Sequence, residues 1–534
     1  MKWRALFVLS MAQFLMVLDQ AVMNVSISQL VEDFDTSVTV IQAIITFYAL
    51  TMAALMITGG KLGDRWGRRR AFVIGLIVYG AGSALTAAAP TVAALLIGWS
   101  ILEGVGAALV LPAMVAMIAG SYQGADRAVA YGVIGGVAGA GIAVGPILGG
   151  WVTTSFTWRY VFVGEVILAA VVIVATRLVG EPPQSDEQVQ VDWVGAGLSS
   201  LGLGLAVFGI LQTSEWGWLA DAASPIAPFG LSLAPFVIGA GMVIFALFVR
   251  WSEFRERRGQ DALVRLGLME IRAMAGGLQM LALQNTILMG VFFAIPLYLQ
   301  VVLGFDALDT GIRMLPVSMA MFITSFVGAR FSRVWSPYQI VRAGLLILLV
   351  GVFVLMATIQ PSLRGIGFGT AMTLLGVGMG LLASQLGNVV QSSVTNRDRS
   401  EAGGLQYTAQ QLGSALGTAL VGAIVITALG SAFISKIALD PRVPEDLTAA
   451  IEVELAGNVP FVPTAVAGIA LEEAGVDPLV TSAIIESYEE SQLGSLRIGL
   501  LVVTALIITS LFLARRIPDT PLAELATGPG VPGA

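Results

Sequence analysis

The sequence predicts an all-α integral membrane protein: fourteen transmembrane helices, arranged as two six-helix bundles with two helices inserted between them, and both termini cytoplasmic. Three observations predict it. Of 534 residues, 56% are hydrophobic and only 12% are charged, where soluble domains carry about 25% charged residues. The apolar residues fall in repeated blocks of the roughly 20 residues that a helix needs to cross about 30 Å of hydrocarbon. The basic residues gather in alternate connections, as the positive-inside rule requires.

In chain order the expected spans are 6–28, 39–60, 71–90, 92–115, 130–152, 159–178, 193–212, 229–250, 274–301, 311–330, 342–359, 366–390, 404–429 and 494–514. Lys2 and Arg4 precede the first apolar run, as in a signal peptide. However, Asp19 and Asn24 interrupt that run and no A-x-A cleavage site follows, so it reads as a retained span. Residues 1–178 and 274–514 form the two halves. Residues 193–250 form the insertion, flanked by the hydrophilic stretches EPPQSDEQVQVD and SEFRERRGQD. The segment 431–492 reads as an outer loop. Within it, EDLTAAIEVELAG and PLVTSAIIESYEESQ have helical apolar spacing and suggest two short amphipathic helices, either a lid or a solvated decoration.

The charges orient the chain. The connection 61–70 reads KLGDRWGRRR, and the connection 250–273 holds Arg250, Arg255, Arg257, Arg258, Arg265 and Arg272. With the other basic residues on the same face, they make 22 of the 28 in the chain. The opposite face has Arg159, Arg313, Arg364, Lys436, Arg442 and Arg497, together with Glu32, Asp33, Asp35, Asp306, Asp309 and the acidic loop. Topology thus accounts for the basic residues, and nothing points to nucleic acid.

The turn after the second span carries Gly60, Lys61, Gly63, Asp64, Arg65, Gly67 and Arg68. Glycines there let two helices approach closely, and a charge cluster at such a turn can lock and release the ends of two bundles. This segment closely resembles the G-x-L-a-D-r-x-G-r-r signature of the major facilitator superfamily. The resemblance implies a fold of the major facilitator type, with Asp64 and Arg65 helping to control the inward–outward switch. A fainter echo, Gly328-Ala-Arg330-Phe-Ser-Arg333, follows the tenth span without the acid. Leu18-Asp19-Gln-Ala-Val-Met-Asn24-Val resembles the first-span element of the fourteen-span drug:proton antiporter family. The run containing Gly141, Gly145, Pro146, Gly149 and Gly150 resembles its antiporter element, and Trp158-Arg159-Tyr160-Val-Phe162 the opening of its sixth span. The likeness covers about the whole chain except 431–492.

Departures from the family pattern concentrate acids in the first half. Ser100 stands where the family commonly has arginine, Glu103 where it has glutamine, Glu165 where it has asparagine, and Ile167 where it has proline. Asp19, Glu103 and Glu165 lie inside apolar helices. An ionised residue there costs roughly 2.5–3.5 kcal/mol on the permissive insertion scale and usually marks a pathway or relay, although a structural pairing is the alternative. The chain has no histidine, so a proton carried near neutral pH must ride on a carboxyl group. These three acids are the candidates for proton coupling and cation binding, with substrate and proton competing for one charge. Asn24, Tyr48, Gln284, Asn285, Tyr407 and Gln411 are candidate cavity contacts.

Taken together, the resemblance and the acids imply a monomeric, proton-coupled antiporter in the cell inner membrane. It would export lipophilic cationic small molecules, with protons and membrane lipids as its other partners. A transporter of a dedicated lipid, metabolite or siderophore-like substrate is the alternative. The chain has no cysteine, and no metal cluster, nucleophilic motif or phosphate-binding G-x-x-x-x-G-K-[ST] loop is evident. Neither an enzyme nor a cofactor or metal is expected.

Overall fold

The computed structural model describes residues 3–122, 124–180, 191–219, 224–331, 334–363, 365–394, 399–455 and 459–519. The side chains of Asn24, Asp64 and Pro146 lie outside the described residues. The chain is helical wherever the hydropathy demands it. In order, the helices of ten or more residues are α1 (Arg4–Val25), α2 (Val38–Trp66), α3 (Arg68–Ala87) and α4, which begins at Val92–Leu95, passes through Leu96–Glu103 and continues over Gly104–Ser121. Then come α5 (Gly124–Ser155), α6 (Arg159–Ala175), α7 (Trp193–Trp216) and α8 (Ala234–Arg257). The last eight are α9 (Arg272–Pro296), α10 (Ala307–Phe331), α11 (Pro337–Thr358), α12 (Gly365–Ser392), α13 (Arg399–Leu439), α14 (Glu445–Leu455), α15 (Thr464–Glu473) and α16 (Pro478–Leu513).

Among the described residues, thirteen helices are long and apolar enough to cross a membrane, and the chain is a multi-pass membrane protein. The expected span 130–152 is not one of these, and its residues belong to the 32-residue α5. Of the two amphipathic segments expected in the outer loop, the first is α14. The second is no separate helix: Asp477 caps Leu479 N–H, and the helix that starts at Pro478 runs unbroken into the last span. The apolar spacing of PLVTSAIIESYEESQ belongs to the first turns of a long helix, where Ala483, Ile484, Ser487 and Tyr488 are buried and the helix packs on α13 and α15.

The helices associate in two sets. Helices α1, α2, α3, α5 and α6 pack with α4 or with one another, and α9–α13 pack with one another and with α16. The sets meet along α5 against α10 and α2 against α13. The α7–α8 pair leans on α2 and α13, where Val207 and Leu211 bury against Ala49, Leu50, Ala415 and Ala419. Asp192 pins this pair at its basic end, capping Gly195 N–H and accepting from Trp251 Nε1 at 3.0 Å.

Small residues set the tightest approaches. Side chains at Gly141, Gly145 and Gly149 would run into Val17, Ala21 and Val22. The antiporter-like element is therefore a glycine face, repeated every four residues, that seats α5 against α1. Gly67 separates α2 from α3 with φ +94°, a conformation that a side chain would strain.

Candidate functional site

Among the described residues, two polar sites within the helices are candidates, and they are separate. The first joins the three expected acids. Asp19 on α1, Glu103 on α4 and Glu165 on α6 are fully or almost fully buried. One carboxyl oxygen from each of the three lies within 4.8 Å of those of the other two. The hydrogen bonds given to them come from neutral donors. Trp99 Nε1 donates to Asp19 at 2.7 Å, and Tyr79 and Ser83 donate to one oxygen of Glu165 at 3.1 and 3.2 Å. Both oxygens of Glu103 and one oxygen each of Asp19 and Glu165 are buried without a hydrogen-bond partner. Ser100, at the position where the resemblance implies arginine, donates instead to the carbonyl of Ile44 at 2.7 Å. Glu103 lies on the Leu96–Glu103 stretch of α4, where the helix widens to π-type turns, a distortion frequent at functional sites. Among the described residues, this is the grouping compact enough for three carboxylates to share a proton or a small cation.

The second site is a cavity of about 440 Å³ between the two helix sets. Gln284, Asn285, Tyr407 and Gln411 line it as expected, joined by Gln13, Gln20, Gln406 and Gln410. Met16, Met52, Met289 and Met321, with Phe292 and Phe326, make up much of the apolar wall. Tyr48 does not line this cavity. Its ring lies flat against Trp99, with centroids 4.7 Å apart, so it forms the wall of the acid cluster. The acids do not line the cavity either, and the expected single charge shared by proton and substrate is not what the geometry provides. Helix α1 divides the two sites: Gln13, Met16, Val17 and Gln20 face the cavity, while Asp19 turns away into the cluster.

On α5, α10, α12 and α13 the lining residues fall in the half nearer the basic end. Toward the acidic end the two sets are stitched together. Ser28 Oγ donates to Gln300 Oε1 at 2.6 Å, and Gln300 Nε2 donates to the carbonyl of Val25 at 2.7 Å. Gln42 Nε2 donates to the carbonyl of Thr418 at 3.0 Å, and Leu308 N–H to Thr154 Oγ1 at 3.2 Å. Arg159, near Glu165 in sequence, pairs instead with Asp33 at 3.1 Å, and Trp158 donates to the same carboxylate at 2.7 Å.

At the basic end, Gly60, Lys61, Gly63 and Arg68 border a 150 Å³ recess with Arg265 and Glu401. Arg68 donates to the carbonyl of Ala116 and so ties the turn to α4. Arg65 is exposed. Glu401, in the first turn of α13, takes both Arg265 N–H and its guanidinium, at 2.9 and 2.7 Å. Sequence reasoning missed this clamp. An acid in the first turn of a helix, facing a basic connection, was its available signal. Glu401→Gln is expected to lower the transport rate only severalfold, because a partly exposed pair contributes about 1 kcal/mol or less. Initial rates of uptake into vesicles, compared with those for Arg265→Gln and the double variant, check this. Additive losses would separate the two residues.

Comparisons with known proteins agree with this architecture. A family model described as Major Facilitator Superfamily matches residues 9–418. The chain is 30% identical over 444 residues to a probable actinorhodin transporter of Streptomyces coelicolor, covering 80% of this chain and 73% of that one. It is 30% identical over 424 residues to a multidrug efflux pump of Mycolicibacterium smegmatis, covering 79% and 80%. Among solved structures, a bacterial homolog of the human lysosomal transporter Spinster, inward-facing and unoccupied, superposes with a TM-score of 0.59. Its sequence is 16% identical, and the match covers 97% of each chain.

Proposed function

The chain belongs to the Major Facilitator Superfamily, and we propose that within it the chain is a proton-coupled antiporter. It exports lipophilic small molecules from the cytoplasm by alternating access, as a monomer in the inner membrane. The observation that carries this reading is one cavity enclosed by both helix sets and closed off toward the acidic end by Ser28, Val25 and Gln300. The positive-inside rule turns the basic end to the cytoplasm, which makes this arrangement inward-facing. The sets α1–α6 and α9–α13 with α16 are then the two bundles that rock about the cavity. The names of the relatives, a probable antibiotic transporter and a multidrug efflux pump, support export as the direction.

Proton coupling rests on the three acids. The cationic character expected of the substrate finds no counter-charge along the described cavity wall. Coupling therefore runs through α1, which presents Asp19 to the cluster and Gln13 and Gln20 to the substrate. Any change in how the cluster is loaded must act on the helix that forms the cavity wall.

Purified protein in liposomes, with lumenal pH followed as ethidium or the neutral dihydroxyanthraquinone quinizarin is added, tests the reading. Substrate-dependent proton movement is expected, unchanged when choline replaces sodium. Movement that requires sodium would give the acid cluster to a different ion. No movement with either compound would overturn the antiport reading.

A further inference from the structure

Resting on the export reading, we infer that the cavity selects an uncharged aromatic molecule bearing both carbonyl and hydroxyl groups, and that Gln13 accepts a hydrogen bond from one of those hydroxyls. The first argument is charge. None of the described residues lining the cavity is acidic or basic. Asp19, on the adjacent face of α1, is fully buried and held by Trp99. A cation or an anion entering the cavity would lose its water without meeting a counter-charge, whereas a neutral molecule carries no such penalty.

The second argument is the kind of polarity present. The wall is rich in carboxamides, contributed by helices of both sets, including Gln13 and Gln20 on α1, Gln284 on α9 and Gln410 on α13. Each carboxamide offers a donor and an acceptor at the same place. A wall of this kind suits a ligand whose edge alternates carbonyl and hydroxyl groups. Between the amides stand thioethers and rings, and thioether sulfur packs favourably against aromatic edges and faces.

The third argument singles out one residue. Gln13 is 5% exposed, lies on the cavity wall, and its Oε1 has no hydrogen-bond partner. A buried acceptor left unpaired is costly, and a donor arriving with the substrate removes that cost. Among the described cavity amides, Gln13 is the one whose buried oxygen lacks a partner, and the amide nitrogens of several others already donate to protein. Gln411 donates to Met52 Sδ at 2.8 Å, Asn285 to the carbonyl of Leu281 at 2.9 Å, and Gln284 to that of Met379 at 3.4 Å. Gln13 is thus assigned as a specificity-determining residue.

The test compares three ligands by equilibrium dialysis against the full chain in nanodiscs: 2-(hydroxymethyl)anthraquinone, whose hydroxyl is free to donate, 2-methylanthraquinone, which lacks the hydroxyl, and ethidium. Wild type is expected to bind the alcohol about tenfold more tightly than 2-methylanthraquinone, and ethidium most weakly. Gln13→Leu should abolish the advantage of the alcohol, a loss of about tenfold for one well-placed hydrogen bond, and Gln13→Asn should keep part of it. Ethidium binding as tightly as the alcohol overturns the inference, and so does a Gln13→Leu loss that is equal for both anthraquinones. The wild-type ranking decides the charge argument even if the variant fails to fold. Export of the same compounds is read separately in liposomes. Transport that favours ethidium sinks the inference and leaves export standing, whereas selective binding of the alcohol without transport sinks export and leaves the ligand class standing.

Discussion

Glu103→Gln is expected to abolish substrate accumulation against a gradient, by a factor of ten or more, while leaving the fold and downhill flux intact. Glu103 is the member of the acid cluster with no hydrogen bond to either oxygen, so an isosteric amide disturbs no existing contact. What it removes is a group that exchanges a proton. Two carboxylates 4.8 Å apart repel by about 3 kcal/mol at an effective dielectric of about 20. The hydrogen bonds reaching the cluster come from Trp99, Tyr79 and Ser83, and none of them brings a positive charge. Three negative charges therefore cannot persist there together, and the cluster titrates as a unit whose loading depends on how α1, α4 and α6, which carry the acids, and α3, which carries Tyr79 and Ser83, sit. Liposomes with an imposed pH gradient measure the effect, and thermal unfolding in detergent separates it from damage to packing. Wild-type accumulation by Glu103→Gln would assign the proton elsewhere. A stability loss in parallel with the activity loss would make the cluster structural.

The acids themselves were legible in the sequence because an ionisable residue inside an apolar run stands out against its surroundings. Their convergence was not. It depends on the register of α1, α4 and α6 about a common axis, and a 3.6-residue period leaves that rotation open when nearly every position is apolar. For the same reason the sequence does not distinguish a cavity position for Tyr48 from its observed place against Trp99. Trp99, Tyr79 and Ser83 also passed as ordinary helix residues. The amides of α9 and α13 were easier to place, because polar side chains in the middle of a span must face protein rather than lipid, and Gln284, Asn285, Tyr407 and Gln411 do line the cavity. Gln13 follows the same rule on α1, on the face adjacent to Asp19. The spans were the most legible part, since the bilayer fixes their length and polarity before any tertiary contact forms.

Gly150→Val is expected to prevent closure at the acidic end and to reduce transport at least tenfold. Gly141, Gly145 and Gly149 face α1 within one helix set, but Gly150 faces across to the other. A β-carbon at this position would lie about 2.8 Å from both the carbonyl carbon of Ala307 and Cα of Leu308, and those are backbone atoms that cannot rotate aside. This contact belongs to the stitched end, beside Thr154 and Leu308 and near Gln300. In an alternating-access cycle it is made when the cavity faces the cytoplasm and broken when the cavity faces outward, so a side chain there penalises only one of the two states. Folding is compatible with the other state, which separates this substitution from Gly145→Val, where the clash with Ala21 lies inside a single set and should destabilise every state. The absence of native cysteine makes the measurement direct: a cysteine placed at Ser28 is the sole thiol. Its reaction with an impermeant maleimide added outside should be slow in the otherwise unaltered protein and at least tenfold faster with Gly150→Val. Equal rates would mean that this end does not open during transport, and the inward-facing reading of the cavity would fail with it.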